Sequence, residues 1–329
     1  MLNAEELNDI EEICERWLFK KENNLFDLEA VYKGLVEIDF NPVIKAFTDR
    51  LDQIECKFSK SEQVSGSICF FGGVVTSLLH YGYIEEIEGL FTFALCYMLI
   101  DHYLDDNTIS YEEKKVSMQD IYLFIYTGKR NSENPLINAA ADRYVDLIER
   151  VPKSKEMIKK LFESELNGVK IQGKENLSRE VYLKIAEEKG GLTAATIGSI
   201  IGLKEKEENE SMRLGAMIQM VDDLIDIQDD EDLNIMTLAR YDLQHTNLDR
   251  YVYDSMIKIR NLSTTYNFFK PILLYGLILG VHDNPNSTSK NLKDLLDKYD
   301  TFSQNTSKET LVQWFHNKLY SYISNHQKI

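Results

Sequence analysis

Apolar residues recur at helical spacing along almost the whole chain, as in the stretches LNDIEEICERWLF, NPVIKAFTDRLDQI and DRYVDLIERV. A spacing of three and four residues places apolar side chains on one face of a helix, whereas a strand requires strict alternation. Convincing alternation nowhere exceeds about four or five residues. The spacing therefore predicts an all-α fold of roughly 12 helices that pack their apolar faces together.

Short polar segments, rich in residues that form turns and cap helices, separate these apolar patterns. We predict helices near residues 3–22, 41–57, 63–82, 84–106, 115–127, 135–150, 154–172, 178–204, 208–231, 246–281 (with a break before Pro271), 286–300 and 307–326. No linker rich in proline, glycine and serine and no internal repeat divides the chain. We therefore expect one single-domain helical bundle over residues 1–329.

Charge and cysteine content restrict the partners and the setting. The 37 basic and 54 acidic residues give a net charge of −17, which disfavours nucleic acid because its phosphates would be repelled. Four widely spaced cysteines and an acidic N-terminus predict buried free thiols in a cytoplasmic protein. The longest apolar runs, 89–100 and 271–281, are about half the roughly 20 residues that cross a bilayer. We therefore expect no membrane span.

Two of the predicted helices are apolar along most of their length and acidic at one end. The helix at 84–106 ends in YMLIDHYLDDNTIS, where no basic residue is near enough in sequence to neutralise the aspartates, and the helix at 208–231 contains QMVDDLIDIQDD. Such acidic runs are often a solvated helix face or a frayed end. Carboxylates at a helix C-terminus oppose the macrodipole, however, and the arrangement occurs twice, each time after an apolar stretch. We therefore interpret the two acidic ends as places where the carboxylates bind a ligand.

The spacing of these aspartates predicts metal binding. Asp101 and Asp105 are four residues apart, and Asp222, Asp226 and Asp230 continue the same interval along one helix face. Like charges stacked in this way cost an isolated helix roughly 0.2–0.5 kcal/mol per pair, so a cation is expected beside them. If the two acidic ends converge on one apolar cavity, their hard oxygen ligands suit Mg²⁺ and leave coordination positions open for a phosphate-bearing substrate.

These residues resemble the two aspartate-rich motifs of the class I isoprenoid synthases, an all-helical superfamily of prenyl diphosphate synthases, squalene and phytoene synthases, and terpene cyclases. The second motif fits the pattern QxxDDxxDxxxD of the trans-prenyl synthases, with Gln219 as its first residue. The first, DHYLDD followed by Lys114 and Lys115, looks more like the squalene synthase version. The helix at 182–202 resembles the one that carries a diphosphate-binding lysine, here Lys189.

The resemblance implies a bundle around a central apolar cavity, three bound Mg²⁺ ions (or Mn²⁺), and a homodimer. The implied metal ligands are Asp101, Asp105, Asp106, Asp222, Asp223, Asp226 and Asp230. The implied catalytic residues are Asp101, Asp105, Asp222, Asp226 and Lys189. The implied substrate-binding residues are Lys189, Gln219, Tyr97, Phe93 and Phe70, the aromatic ones because their faces stabilise a carbocation.

The departures from the family pattern favour one reaction within it. Prenyl synthases hold their diphosphates with a GKR motif near the N-terminal third, an arginine pair after the first aspartates and a GK pair after the second, and none of these occurs at its expected position here. Without these cations a second diphosphate binds poorly. The leading hypothesis is therefore a terpene synthase, a lyase acting on one C15 or C20 prenyl diphosphate. The alternatives are a prenyltransferase that adds isopentenyl diphosphate, a head-to-head synthase of the squalene type, and a non-catalytic regulatory subunit.

Overall fold

The computed structural model describes residues 2–19, 49, 60–106, 108–172, 177–232, 235–245, 248–284 and 287–305. All regular secondary structure within these ranges is helical, and they contain no strand. The helices are α1 Ala4–Cys14, continued by a π-helical segment Glu15–Phe19, α2 Lys60–Tyr81, α3 Ile87–Asp105, α4 Tyr111–Thr127, α5 Pro135–Arg150, α6 Lys155–Gln172, α7 Arg179–Ile201, α8 Glu205–Ile225, α9 Ile227–Asp232, α10 Leu238–His245, α11 Leu248–Arg260, α12 Phe269–Asp283 and α13 Lys290–Asn305. The predicted all-α class is confirmed.

The chain divides into two compact units. The first contains the described residues within Met1–Asp39, Leu177–Gly191 and Arg213–Phe315, and the second contains those within Phe40–Asn176 and Leu192–Met212. The boundaries fall inside α7 and α8, which therefore contribute residues to both units. The single-domain bundle of the isoprenoid synthase type and its central cavity stay predictions.

In the second unit, α3 packs against α2 and α5, and α4 packs against α5 and α6. Helix α3 is apolar on nearly all sides, which is typical of a helix buried in a core. A glycine allows its close contact with α2: a Cβ at Gly73 would lie 2.6 Å from Leu90 Cδ2. Within the described residues, Ile87–Leu104 is the one stretch long and apolar enough to cross a membrane, and 61% of it is buried in the protein, as in a core helix.

In the first unit, glycines allow α12 to approach α8 closely. A Cβ at Gly280 would lie 2.6 Å from Leu224 Cγ, and one at Gly276 would overlap Val221 Cγ1. Since Val221 and Leu224 are both buried, this contact determines which side of α8 faces the core and which sides remain for its aspartates. Helices α1, α10 and α12 pack on α11.

Several predicted boundaries differ from those of the structure. The segment expected as one helix over 246–281 forms α11 and α12, separated by residues 261–268. Pro271 does not break a helix, because it lies in the first turn of α12, where its missing N–H has no intrahelical partner to lose. Helix α10 was not predicted. The helices predicted near 41–57, apart from Asp49, and near 307–326 lie outside the described residues.

Candidate functional site

The acidic end of the second motif spans the junction of α8 and α9. Helix α8 ends at Ile225 and α9 begins at Ile227, so the helix predicted over 208–231 is divided at Asp226. Backbone hydrogen bonds nevertheless continue across the junction, from Asp226 N to Asp222 O (2.9 Å) and from Asp230 N to Asp226 O (2.8 Å). The aspartates therefore keep the helical spacing expected from the sequence.

The most buried aspartate of this motif is Asp223, whose exposed fraction is 7%. Asp226 and Asp230 are half-buried, whereas Asp222 is exposed. The row of desolvated carboxylates is thus Asp223, Asp226 and Asp230, rather than the row with Asp222 that the spacing alone suggested. Gln219 lies one turn before Asp223 and donates a hydrogen bond from Nε2 to Asp223 Oδ1 (2.8 Å), which holds this carboxylate in place.

Burial and mutual repulsion raise the pKa values of these carboxylates. Burial raises the pKa of Asp223 to about 6. Burial, followed by the charge of Asp223, raises the pKa of Asp230 to about 7 despite a hydrogen bond from Thr237. Burial and the charge of Asp229 also raise the pKa of Asp226. Ionisation of these carboxylates at neutral pH therefore costs free energy, and a bound cation would reduce that cost.

Lys189 of α7 is near enough for its charge to act on this cluster. It lowers the pKa of both Asp223 and Asp230, although less than burial raises them. The Gly190 that follows does not break the helix, which continues to Ile201. A Cβ at Gly190 would overlap the Gly215 carbonyl oxygen and lie 2.6 Å from Gln219 Cβ. Close packing of α7 on α8 thus places the lysine beside the aspartates.

The donor chemistry of the cluster fits Mg²⁺. Its side chains offer hard carboxylate oxygens, and Mg²⁺ is commonly bound through one or two carboxylates, with substrate phosphates and waters completing an octahedral shell. Within the described ranges, no three His, Cys, Asp or Glu side chains are grouped closely enough to enclose an ion by themselves. A metal ion at Asp223, Asp226 and Asp230 would therefore need further ligands from substrate or water.

Arg240 and Thr237 are two residues near the cluster that the sequence analysis missed. The Arg240 guanidinium is buried and donates from Nη1 to the backbone carbonyls of Asp230 (2.9 Å) and Ile235. It thereby satisfies one carbonyl in the last turn of α9, where a positive charge is favourable, and one carbonyl beyond the end of that helix. In the sequence both residues lie in the segment MTLAR, which resembles no part of the family pattern.

The other acidic end, at the C-terminus of α3, has a basic partner after all. Lys114 of α4 donates from Nζ to the Leu104 carbonyl (2.5 Å). Its charge also contributes to lowering the pKa of Asp106, so the expectation that no basic residue is near these aspartates is wrong. Asp101 is half-buried. Asp105 is the last residue of α3, and its side chain lies outside the described part of the structure.

Asp106 forms a turn after α3. Its Oδ1 accepts hydrogen bonds from the backbone N–H of Thr108 (2.8 Å) and from Thr108 Oγ1 (2.6 Å). The hydroxyl bond is the main reason why the pKa of this carboxyl is below its usual value. The turn gives Asp106 a structural role, while metal binding by Asp106 stays a prediction.

A cavity of about 20 Å³ lies beside Asp101 within the second unit. This volume accommodates about one water molecule, so a prenyl chain would have to displace the surrounding side chains. Aliphatic side chains of α3, α4 and α6 form part of its wall, and the remaining lining residues are Tyr97, Asp101, Tyr144, Phe162, Glu165 and Thr193. The predicted Tyr97 is thus in the wall, and the last four of these residues were not foreseen.

The other two predicted aromatic residues lie in the core and do not line this cavity. Phe93 is 1% exposed and Phe70 is 2% exposed. Phe70 makes edge-to-face contacts with Phe71 (5.9 Å between ring centroids) and Phe91 (5.6 Å). Spacing along a helix identifies apolar faces, but it does not distinguish a residue that packs in the core from one that borders a cavity.

The sequence matches no protein-family model and no curated protein. The resemblance to the class I isoprenoid synthases therefore rests on the two aspartate motifs and on the residues that pack beside them. Among those residues, the group with the most coherent geometry is the cluster of Asp223, Asp226 and Asp230 with Gln219 and Lys189.

Proposed function

We propose that this protein is a Mg²⁺-dependent terpene synthase of the class I isoprenoid type, which ionises one allylic prenyl diphosphate and releases diphosphate. One observation carries the proposal: three aspartates of one motif form a desolvated, mutually repelling row beside a lysine. An anionic row of this kind next to a fixed cation is suited to binding a metal diphosphate, in which positive and negative groups alternate.

Each residue of the cluster has a distinct task in this proposal. Asp223, Asp226 and Asp230 hold the metal ions, three Mg²⁺ or Mn²⁺, and Gln219 fixes the carboxylate of Asp223. When bound, the ions neutralise the leaving diphosphate. Lys189 adds a positive charge that acts on the same oxygens.

The chemistry has a second requirement, an apolar pocket that is closed to water, which stays a prediction. A carbocation survives only where water is excluded, and aromatic faces stabilise it by roughly 0.5–2 kcal/mol each. Tyr97 and Phe162 contribute such faces to the cavity wall. Asp101 and Asp105 are the further metal ligands that the motif implies.

The lack of basic motifs at the positions where prenyl synthases bind a second diphosphate favours a single substrate. The test is to incubate the purified protein with Mg²⁺ and C10, C15, C20 or C25 prenyl diphosphates, with and without isopentenyl diphosphate. We expect diphosphate release and a hydrocarbon or alcohol that does not depend on isopentenyl diphosphate. An elongated diphosphate as the sole product would identify a prenyl synthase instead, and a C30 or C40 hydrocarbon a head-to-head synthase.

A matched pair of variants links the reaction to the cluster. Asp230→Asn removes a half-buried carboxylate of the row, and Asp229→Asn removes its exposed neighbour. We expect the first to lower diphosphate release roughly 100-fold, as loss of a metal-site residue commonly does, and the second to change it little. Equal activity of the two variants would contradict the assignment of the site. The homodimer and the cytoplasmic location remain predictions.

A further inference from the structure

Helix α9 is held against the first turn of α10 by contacts that converge on Asp230. The carbonyl oxygen of Asp230 accepts two hydrogen bonds, one from Arg240 Nη1 (2.9 Å) and one from the backbone N–H of Ile235 (2.8 Å). The N–H of Asp230 donates to the Asp226 carbonyl (2.8 Å). Arg240 also donates to the Ile235 carbonyl and is 7% exposed, so this contact with the backbone is shielded from water.

Thr237 holds the carboxylate of the same aspartate. The hydroxyl of this half-buried threonine donates a hydrogen bond to the Asp230 side chain. The hydroxyl oxygen lies 3.5 Å from the backbone nitrogen of Arg240, the third residue of α10, and accepts its N–H as a capping hydroxyl commonly does. A hydroxyl has only one hydrogen to donate, and here that hydrogen is directed at Asp230.

These contacts determine where Asp230 lies, because α9 is too short to hold its shape alone. It contains six residues, whereas isolated helices shorter than about 12–15 residues are marginal in water. The position of Asp230 therefore depends on the contacts with α10 more than on α9 itself.

Helix α10 is in turn fixed to α7, the helix that carries Lys189. Asp242 of α10 is fully buried and accepts hydrogen bonds from Arg179 Nε to Oδ1 (2.7 Å) and from Arg179 Nη2 to Oδ2 (2.7 Å). Two parallel bonds between an arginine and a carboxylate fix the geometry of both groups. All of these residues belong to the first unit. One connected set of contacts within that unit thus links the helix of the lysine to Asp230.

We propose that Thr237 and Arg240 are positioning residues of the candidate metal site, Thr237 through the carboxylate of Asp230 and Arg240 through its backbone. The inference rests on the metal-binding part of the proposed function, in which Asp230 is a ligand. Without these contacts Asp230 has to be ordered when the ion binds, which lowers the affinity for the ion. Loss of either residue should therefore weaken Mg²⁺ binding, while the maximal rate at saturating Mg²⁺ stays close to that of the wild type.

Calorimetry tests the role of Thr237 without turnover. Mg²⁺ is titrated into the protein with inorganic pyrophosphate present, and the heats of a protein-free titration are subtracted. We expect Thr237→Val to bind Mg²⁺ roughly tenfold more weakly than the wild type, since residues that orient metal ligands commonly contribute about 10–100-fold to affinity. Thr237→Ser keeps the hydroxyl and should restore most of the affinity.

Asn134→Ala is the matched control for the loss of a helix cap. Asn134 caps α5 in the second unit, where its Oδ1 accepts from the backbone N–H of Leu136 (2.9 Å). The residue belongs to neither aspartate motif. Asn134→Ala should therefore lower the stability of the protein but leave its Mg²⁺ affinity at the wild-type value.

Arg240→Met and Arg240→Lys test the contact with the backbone of Asp230. Methionine has no donor, whereas lysine keeps a charged donor of different geometry. We expect Arg240→Met to weaken Mg²⁺ binding roughly tenfold and Arg240→Lys to weaken it less. In steady-state assays, Arg240→Met and Thr237→Val should raise the Mg²⁺ concentration for half-maximal diphosphate release roughly tenfold, with kcat within about twofold of the wild type.

The possible results separate this inference from the proposed function. If the wild type binds no Mg²⁺, both are overturned. If it binds Mg²⁺ but releases diphosphate from no prenyl diphosphate, the proposed reaction is overturned, while weaker binding by Thr237→Val supports the inference. A variant of Thr237 or Arg240 that is folded by circular dichroism and keeps the wild-type affinity overturns the role of the residue it replaces. An equal loss of affinity in Asn134→Ala would also overturn the inference.

Discussion

Asp222 and Asp223 are adjacent in the chain, yet their carboxylates have different surroundings. Asp223 lies one turn after Gln219, accepts its hydrogen bond and is almost fully buried. Asp222 shares its face of α8 with Ile218 and Ile225, which are both exposed. One residue of helical rotation, about 100°, is enough to separate a carboxylate of the candidate site from a surface carboxylate.

This difference predicts unequal effects of two matched substitutions. Asp223→Asn should lower Mg²⁺-dependent diphosphate release roughly 100-fold, because it removes the buried member of the row. Asp222→Asn should lower it less. Steady-state assays with pyrophosphate detection would measure both, and circular dichroism would check that the variants are folded. A larger loss in Asp222→Asn would instead indicate that Asp222, Asp226 and Asp230 are the metal-binding residues.

At the scale of helices, Lys189 lies near the aspartates because α7 packs closely against α8. Gly190 has no side chain to hold the helices apart, and the Gly215 carbonyl and Gln219 Cβ occupy the space that a Cβ would need. Glycine inside a helix lowers its stability by roughly 1 kcal/mol, so Gly190 by itself could mark a helix break. The structure instead shows an unbroken helix in close contact with its neighbour, which brings a lysine and an amide to the same group of aspartates.

Gly190→Ala and Gly168→Ala are a matched test of this contact. Both glycines lie inside helices, but a Cβ at Gly168 would meet nothing within 4 Å. We expect Gly168→Ala to stabilise the protein by up to about 1 kcal/mol through helix propensity. Gly190→Ala should destabilise it by roughly 1–3 kcal/mol, as overpacking does, and should also reduce activity. Chemical denaturation gives both values, and similar values for the two variants would contradict the close helix contact.

At the scale of the whole molecule, the acidic cluster should make stability depend on pH and on magnesium. The pKa of Asp230 is raised from 3.8 to about 7, so the folded state holds a proton that the unfolded state releases above about pH 4. The contribution of this group to the free energy of unfolding is therefore largest below pH 4 and falls as the pH rises to about 7. A cation bound to the charged form reverses this loss.

Thermal denaturation between pH 4 and pH 8 would measure this dependence. Without metal, we expect the difference in melting temperature between Asp230→Asn and the wild type to shift in favour of the variant as the pH rises from about 4 to about 7. At pH 7.5, Mg²⁺ should raise the melting temperature of the wild type more than that of the variant. An equal response of the two proteins to pH and to Mg²⁺ would show that Asp230 does not hold the ion.

The sequence by itself determined the helical class, the approximate position of most described helices and the two acidic ends, because these features depend on the local spacing of residues along a helix. It could not determine which side of each helix becomes buried. The contact of α12 glycines with Val221 and Leu224 sets the rotation of α8, and so exposes Asp222 while it buries Asp223. Likewise Glu165, Tyr144 and Thr193 reach one cavity from three helices. Tertiary packing decided these placements, since they depend on residues far apart in the chain.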